Sequence, residues 1–362
     1  TTLFRSEAKG ARIVVFRVSG TIALKKSLSI KNPYITIAGQ SAPGGGVCLK
    51  DHGLVIRADD VVVRYLRVRP GDNAKVELDA LSVTEGRDII VDHCSTSWSV
   101  DETLSVTGDN LDRVTIQWSI ISESLNCSVH AKGCHGYGSL VRGSGGHLFT
   151  FHHNLYAHHK GRLPRPGNYL SAAKDPKGLR FDFRNNVVYD WGGSYAGYNS
   201  DSDSITRMSF VGNYYRSGPS SSKKIAFSES CTHSRAYFAA NYMEGTKPAD
   251  PWSLVVFKGF SAGQIKAYKL GSPPTVAPVK TEDGAAAYTR VLATAGASFP
   301  ARDAVDKRVV NQVKQRKGKL IDDESDVGGW PKLASGTPPR DTDHDGMPDG
   351  WETARGLDLA SA

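Results

Sequence analysis

The sequence predicts an all-β solenoid of stacked coils, a parallel β-helix, with helical segments capping it toward the C-terminus. Three observations carry that prediction. Short β-rich segments recur along the chain at 34–37, 61–66, 89–94, 114–118, 149–151, 181–183, 208–210 and 236–238. Most are about 25–28 residues apart, with wider gaps around the fifth, a period that belongs to repeat architectures. Within them apolar residues alternate, as in half-buried strands. Asn154, Asn186, Asn213 and Asn241 close four successive segments in the same register. Asparagine tolerates the left-handed backbone of a sharp bend, and stacked asparagines can bond along an axis. A propeller needs about four strands per repeat, and these repeats are too short for that.

The rhythm fades after Asn241. Residues 285–292 read as helical. Residues 303–317 read as a better helix, with Val305, Val309, Val310 and Val313 on one face. The stretch 335–339 is a linker-like break. The chain therefore divides into a β-helix over 1–250, a segment over 251–336 that packs on the solenoid's side or end, and an Asp-rich tail over 337–362.

A chain of 362 residues exceeds the usual single-domain size, but a solenoid core grows along one axis and escapes that limit. The net charge of +8 favours an anionic partner. The basic residues are scattered rather than clustered, which argues against nucleic acid. No apolar run reaches the length of about 18 residues that a membrane span needs. Of the five cysteines, Cys127 and Cys134 bracket a short loop with Gly133, and a local disulfide is credible there. Cys94 reads as a buried thiol. No signal peptide is visible, and the opening at Thr1-Thr2-Leu3 suggests that a leader and an early strand have been removed.

Two acidic clusters sit on neighbouring repeats: Glu77-Leu78-Asp79 and Asp101-Glu102. Residues one coil apart become neighbours in a solenoid. These acids can converge on a hard cation such as Ca²⁺, or remain solvated turn residues. Arg162 and Arg165 flank Pro164, which restricts the backbone that carries them. A guanidinium binds carboxylates in a bidentate fork, so this turn suits an acidic polymer. His152 and His153 point to opposite sides of a strand and read as structural; no zinc-type spacing accompanies them. His130, Lys132 and His135 lie in the Gly/Cys loop, within reach of a groove. Trp191, Tyr195 and Tyr198 are candidates for lining that groove or for ordinary packing.

The tail 341–352 has the spacing of an EF-hand-type loop. Asp341, Asp343, Asp345 and Glu352 occupy side-chain ligand positions and Gly346 the sharp turn. Met347 offers its carbonyl, and Asp349 is placed to bind through water. The expected ion there is structural.

With these motifs in hand, the chain resembles bacterial pectate lyases of polysaccharide lyase family 1. The resemblance runs from Val18-Ser19-Gly20-Thr21-Ile22 to the tail. It rests on Ile37-Ala38-Gly39-Gln40-Ser41-Ala42-Pro43-Gly44, Asp79-Ala80-Leu81, Val91-Asp92-His93-Cys94-Ser95, His152-His153-Asn154 and Arg162-Leu163-Pro164-Arg165. It implies a right-handed parallel β-helix, Ca²⁺, and a polygalacturonate or pectin substrate met outside the cell or in the periplasm by a secreted, monomeric enzyme.

Residue by residue, the resemblance makes Arg162 the catalytic arginine and Asp79 and Asp101 the Ca²⁺ ligands, with Glu77 as a further acid. Arg165 is carried over to substrate binding. The family's substrate lysine has no clean counterpart, and Lys132, Lys160 and His135 are the candidates. Two positions depart from the pattern: an expected aspartate is Ser105, and an expected arginine is Gly167.

The implied reaction is β-elimination, with Ca²⁺ acidifying the C5 proton, Arg162 removing it, and Arg165 or a lysine stabilising the charge that develops. A lyase on another acidic uronan, a hydrolase of the polygalacturonase kind and a non-catalytic glycan-binding solenoid are the alternatives. The hydrolase lacks a convincing set of convergent acids.

Overall fold

The computed structural model describes residues 8–361. The chain winds into three parallel sheets that run the length of a β-helix. One face holds nine strands, in the order Arg12–Val15, Ile35–Ala38, Val61–Arg64, Leu81–Asp92, Leu111–Gln117, Leu148–His152, Leu179–Arg184, Thr206–Val211 and Arg235–Ala239. Every predicted β-segment falls in this face. A second face of nine strands runs from Gly20–Ala23 to Tyr242–Met243.

The third face starts with Leu28–Ile30 and Leu54–Arg57, passes through the first half of Leu81–Asp92, and continues with Leu104–Thr107, Leu140–Arg142 and Arg165–Gly167. The long strand Leu81–Asp92 ties two faces together, pairing Leu81 with Leu54 and Ile89 with Val61. Beyond Arg165–Gly167 the face runs on through Gly197–Asn199, Phe227–Glu229 and Val255–Phe257, joined by the Tyr198 N–H bond to Pro164 O at 3.1 Å. The coils therefore outlast the point where the sequence rhythm fades.

Pairing in register turns alternation along the sequence into columns along the axis. Val14, Ile37, Val63, Val91, Ile116, Phe151, Phe183, Phe210 and Phe238 occupy one such column, and all are buried. The column is aliphatic in the first coils and aromatic in the last. Burying each such side chain contributes roughly 1.5–3 kcal/mol.

The asparagines form the expected ladder. Each donates its backbone N–H to the next Oδ1 along the axis: Asn154 to Asn186 at 2.9 Å, Asn186 to Asn213 at 2.9 Å and Asn213 to Asn241 at 3.0 Å. Their Nδ2 groups donate backward to Ile116, Phe151, Phe183 and Phe210 carbonyls. Ser119 N–H donates to Asn154 Oδ1, which extends the row by one coil. The left-handed backbone, however, belongs to the residue before each asparagine: His153, Asn185, Gly212 and Ala240 have φ of 56°, 53°, 64° and 55°. The asparagine side chain must lie inside the bend to reach its neighbours, so the turn is made one position earlier.

The helices Gly284–Thr294 and Ala304–Gln315 lie on the side of the second face. Val291, Leu292, Val309, Val310 and Val313 pack over Ile120, Leu155, Val187 and Tyr189. Asp303 caps the second helix by accepting from Asp306 N–H. Beneath it Asp303 and Asp306 hold the fully buried Arg69, at 2.5 and 2.7 Å. A buried ion pair of this kind fixes position more than it adds stability. Cys127 and Cys134 form a disulfide, and Cys48, Cys94 and Cys231 are buried thiols. Among the described residues no helix is long and apolar enough to cross a membrane.

Candidate active site on the third face

Register on the third face decides which acids meet. Leu81 pairs with Leu104, so Asp79, two residues before one strand, falls in step with Glu102, two residues before the next. Glu102 N–H donates to Asp79 Oδ1 at 3.1 Å. The next coils bring Tyr137 beside Glu102 and Gly161 beside Tyr137, and Arg162 follows directly.

Asp79, Asp101 and Glu102 each offer a carboxylate oxygen, all within 4.8 Å of one another. Asp79 Oδ2 also accepts from Ser82 Oγ at 2.9 Å and from Ser105 Oγ. Serine in place of the expected aspartate thus supports Asp79 by donating a hydrogen bond. Burial pushes the Asp79 carboxyl up to about 6; the Ser105 and Ser82 hydrogen bonds oppose that rise and the charge of Asp101 adds to it. One oxygen of Asp101, Oδ1, is buried and faces His135 Nε2.

Arg162 has a left-handed backbone, with φ of 61°. Its guanidinium forms an ion pair with Glu102, lies 4.0 Å from the Tyr137 ring centroid, and approaches Tyr198 Oη at 3.4 Å through Nε. The structure therefore places Arg162, Asp79 and Asp101 in one cleft. Glu102 completes it. In the sequence Glu102 stands in the acidic pair with no role assigned to it, although its register with Asp79 is the available signal.

The remaining candidates scatter around this centre. Glu77 turns to the disulfide loop, where its Oε1 accepts from Ala131 N–H at 2.6 Å and its Oε2 lies 3.6 Å from His130. His135 Nε2 lies 3.2 Å from Asp101 Oδ1, and the ring stacks on His130 at 4.0 Å. His130 Nδ1 accepts from the Lys132 N–H at 3.0 Å, which leaves Nε2 to face the acids as a donor. The Lys132 side chain is exposed. Lys160 Nζ donates to Cys134 O at 2.5 Å. Arg165 lies 3.2 Å from Ser200 Oγ and 3.8 Å from Asp201.

A groove of about 460 Å³ opens beside Arg162, lined by Tyr137, Lys160, Tyr195, Tyr198, Ser230 and Lys258. Cations alternate with rings along it. Arg165 lies 5.6 Å from the Tyr198 centroid and Lys258 4.5 Å from that of Tyr195. Lys258 carried no signal in the sequence, because it follows a strand beyond the recognisable repeat. Trp191 is buried core, with Nε1 donating to Lys223 O.

The histidine pair is structural. His153 stacks on Trp118 at 4.2 Å and meets Glu282 at 3.1 Å. Desolvation lowers both His152 and His153 to about 4. The tail loop stands apart, against the first coil, with Asp341, Asp343 and Asp345 converging. Asp349 does not join them, because its carboxylate accepts from the Thr342 N–H and Oγ1 at 2.7 and 2.8 Å. Met347 donates its N–H to Asp345 Oδ1 at 2.6 Å.

No family model matches the sequence. Curated relatives do. "Probable pectate lyase C" of Aspergillus flavus is 37% identical over 356 residues, which cover 97% of this chain and 79% of the relative. The protein of the same name from Neosartorya fischeri is 37% identical over 352 residues, covering 96% and 78%. These relatives are fungal, which corrects the bacterial assignment. The motifs behind that assignment are acids, arginines and turn residues that the chemistry demands in either kingdom, so they do not discriminate source.

Solved structures share the fold at low identity. A Bacillus sp. N165 pectate lyase in complex with trigalacturonate aligns with a TM-score of 0.53 at 13% identity, covering 81% of this chain and 88% of that one. The cedar pollen allergen jun a 1 aligns at 0.50 and 17%, covering 82% and 83%.

Proposed function

Because this chain belongs to the pectate lyase family and is a polysaccharide lyase, we propose that it cleaves polygalacturonate by Ca²⁺-dependent β-elimination on the third face. The observation that carries the reading is the convergence of Asp79, Asp101 and Glu102 beside the Arg162 guanidinium.

The donor set fits a hard cation. It offers carboxylate oxygens from three acids within 4.8 Å of one another, with the desolvated Asp79 among them. Asp79, Asp101 and Glu102 would hold the ion. When bound, Ca²⁺ supplies Lewis-acid polarisation of a uronate carboxylate, which acidifies the neighbouring C5–H.

Arg162 takes the C5 proton. It has no lone pair to offer while it stands as a guanidinium paired with Glu102, so the pair must open and the guanidinium must first give a proton to water or hydroxide; the neutral guanidine then accepts the C5 proton. Tyr137 lies under the guanidinium and Tyr198 Oη beside Nε, and these two hold the side chain toward the groove. The C5–H electron pair becomes the C4–C5 double bond. The C4–O4 bond breaks, and O4 leaves to take a proton from water. Lys160 and Arg165 flank the groove and stabilise the carboxylate-centred negative charge that builds before O4 departs.

The disulfide Cys127–Cys134 supports a secreted enzyme, since such bonds persist in oxidising compartments. All named groups lie in one chain, which supports action as a monomer. The test is a comparison of polygalacturonate, highly methylated pectin and alginate with Ca²⁺ and with chelator, followed by ultraviolet absorbance. Absorbance that grows on polygalacturonate and stops with chelator is expected. Chain shortening without absorbance would mean hydrolysis, and preference for alginate or methylated pectin would reassign the substrate.

A further inference from the structure

We propose that the tail loop 341–352 is a Ca²⁺ clasp that fastens the C-terminal tail onto the first coil of the solenoid, and that its ligand set is Asp341, Asp343, Asp345 and Glu352. The proposal is independent of the catalytic reading.

The loop gathers carboxylates that the protein does not satisfy. Asp341, Asp343 and Asp345 bring oxygens within 4.8 Å of one another. Glu352 is 0% exposed, and both its oxygens are buried without a hydrogen-bond partner. So are Asp341 Oδ1 and Asp343 Oδ2. The charges of Asp343, Asp345, Asp349 and Asp341 all act on the Glu352 carboxylate. Four unpartnered acceptor oxygens on three carboxylates of one loop are costly, and Arg17 answers only the other oxygen of Asp341. Oxygen-only ligands with one carboxylate free at both oxygens suit Ca²⁺, which takes about 6–8 oxygens in flexible geometry.

The loop is otherwise well built. Gly346 has φ of +95° at the sharp turn. Asp345 N–H donates to Asp343 Oδ1 at 3.2 Å. Asp349 closes the loop from outside, bonding Thr342 through its carboxylate and Arg340 O through its N–H at 2.9 Å. These bonds fix the backbone and leave Glu352 free to face inward.

The position of the loop gives it a role. The tail first crosses the second coil, where Gly45 N–H donates to Ala334 O at 2.8 Å. It then reaches the first coil. Arg17 pairs with Asp341 Oδ2 at 3.4 Å, and a Cβ at Gly346 would stand 3.1 Å from Val15 Cγ1. Val15 ends Arg12–Val15, the outermost strand of its sheet among the described residues. The clasp presses a folded loop against that strand, and the ion sets whether the loop keeps its shape.

The test uses the full chain stripped with chelator and retitrated with CaCl₂ in an Asp79→Asn background, which weakens the proposed catalytic cation site. Calorimetry counts bound ions, and hydrogen exchange reads amides 12–17. The expected result is one remaining Ca²⁺ equivalent, with exchange at 12–17 slowed about tenfold by the ion. Glu352→Gln, or Asp343→Asn if the first variant fails to fold, abolishes both effects. Lyase activity of the Glu352→Gln single variant at saturating Ca²⁺ stays at the parent level. Absence of the remaining equivalent overturns the site. Binding that leaves amides 12–17 unchanged overturns the clasp.

Discussion

The carboxylate of Glu102 and the guanidinium of Arg162 meet across two turns of the solenoid. One residue belongs to the acid cluster and the other to the arginine turn, so the pair links the two halves of the proposed site. Replacing Glu102 by Gln removes a cation ligand and releases the guanidinium together. We expect kcat to fall by about 10²–10³, with weaker Ca²⁺ binding by calorimetry. Unchanged Ca²⁺ affinity would leave Glu102 as a simple tether for Arg162.

Arg162→Lys tests the proton acceptor. Lysine keeps the charge but not the planar fork or the ring contact with Tyr137. The rate on polygalacturonate should drop by at least about 10² at neutral pH. A variant that kept most of its neutral-pH rate would make Arg162 a charge clamp and assign the base elsewhere.

Lys258 lines the groove, over Tyr195. Lys258→Gln should raise KM several-fold for long oligogalacturonides and leave kcat alone. Trimer kinetics should change less, because Lys258 contacts Tyr195 and not the Arg162 cluster. Equal effects on short and long substrates would remove Lys258 from substrate contact.

Glu229 gives a pH prediction. It is buried beside Tyr268 and Cys231, and desolvation raises its carboxyl to about 8. The folded state thus holds a proton that the unfolded chain releases near 4.5. Stability is greatest below that value and is lost progressively as pH climbs toward 8. The cost follows from about 1.4 kcal/mol per pKa unit. Glu229→Gln should flatten this decline, so that Tm at pH 9 exceeds that of the parent chain. A parallel decline in both proteins would place the alkaline loss elsewhere.

Asn186 sits in the middle of the ladder, bonded to the coils before and after it. Asn186→Ala leaves buried donors and acceptors unmatched on both neighbours. We expect roughly 2–4 kcal/mol of destabilisation by denaturant titration, with the parallel sheets retained by circular dichroism.

The sequence by itself determined the solenoid, because alternation and the recurring asparagines are local and periodic. One coil repeats the pattern of the last, so stacking follows. The acids, the arginine turn and the tail loop were legible for the same reason: each is a short motif whose spacing has chemical meaning. Tertiary structure decided the rest. Which acid stands beside Asp79 depends on strand register, and a two-residue offset before each strand chose Glu102. Glu77 and Asp349 look like ligands in the sequence, yet backbone donors already occupy them. Lys258 joins the groove only because the third face outlasts its sequence signature. Partners separated by one or more coils are set by how the coils stack, and no local pattern records that.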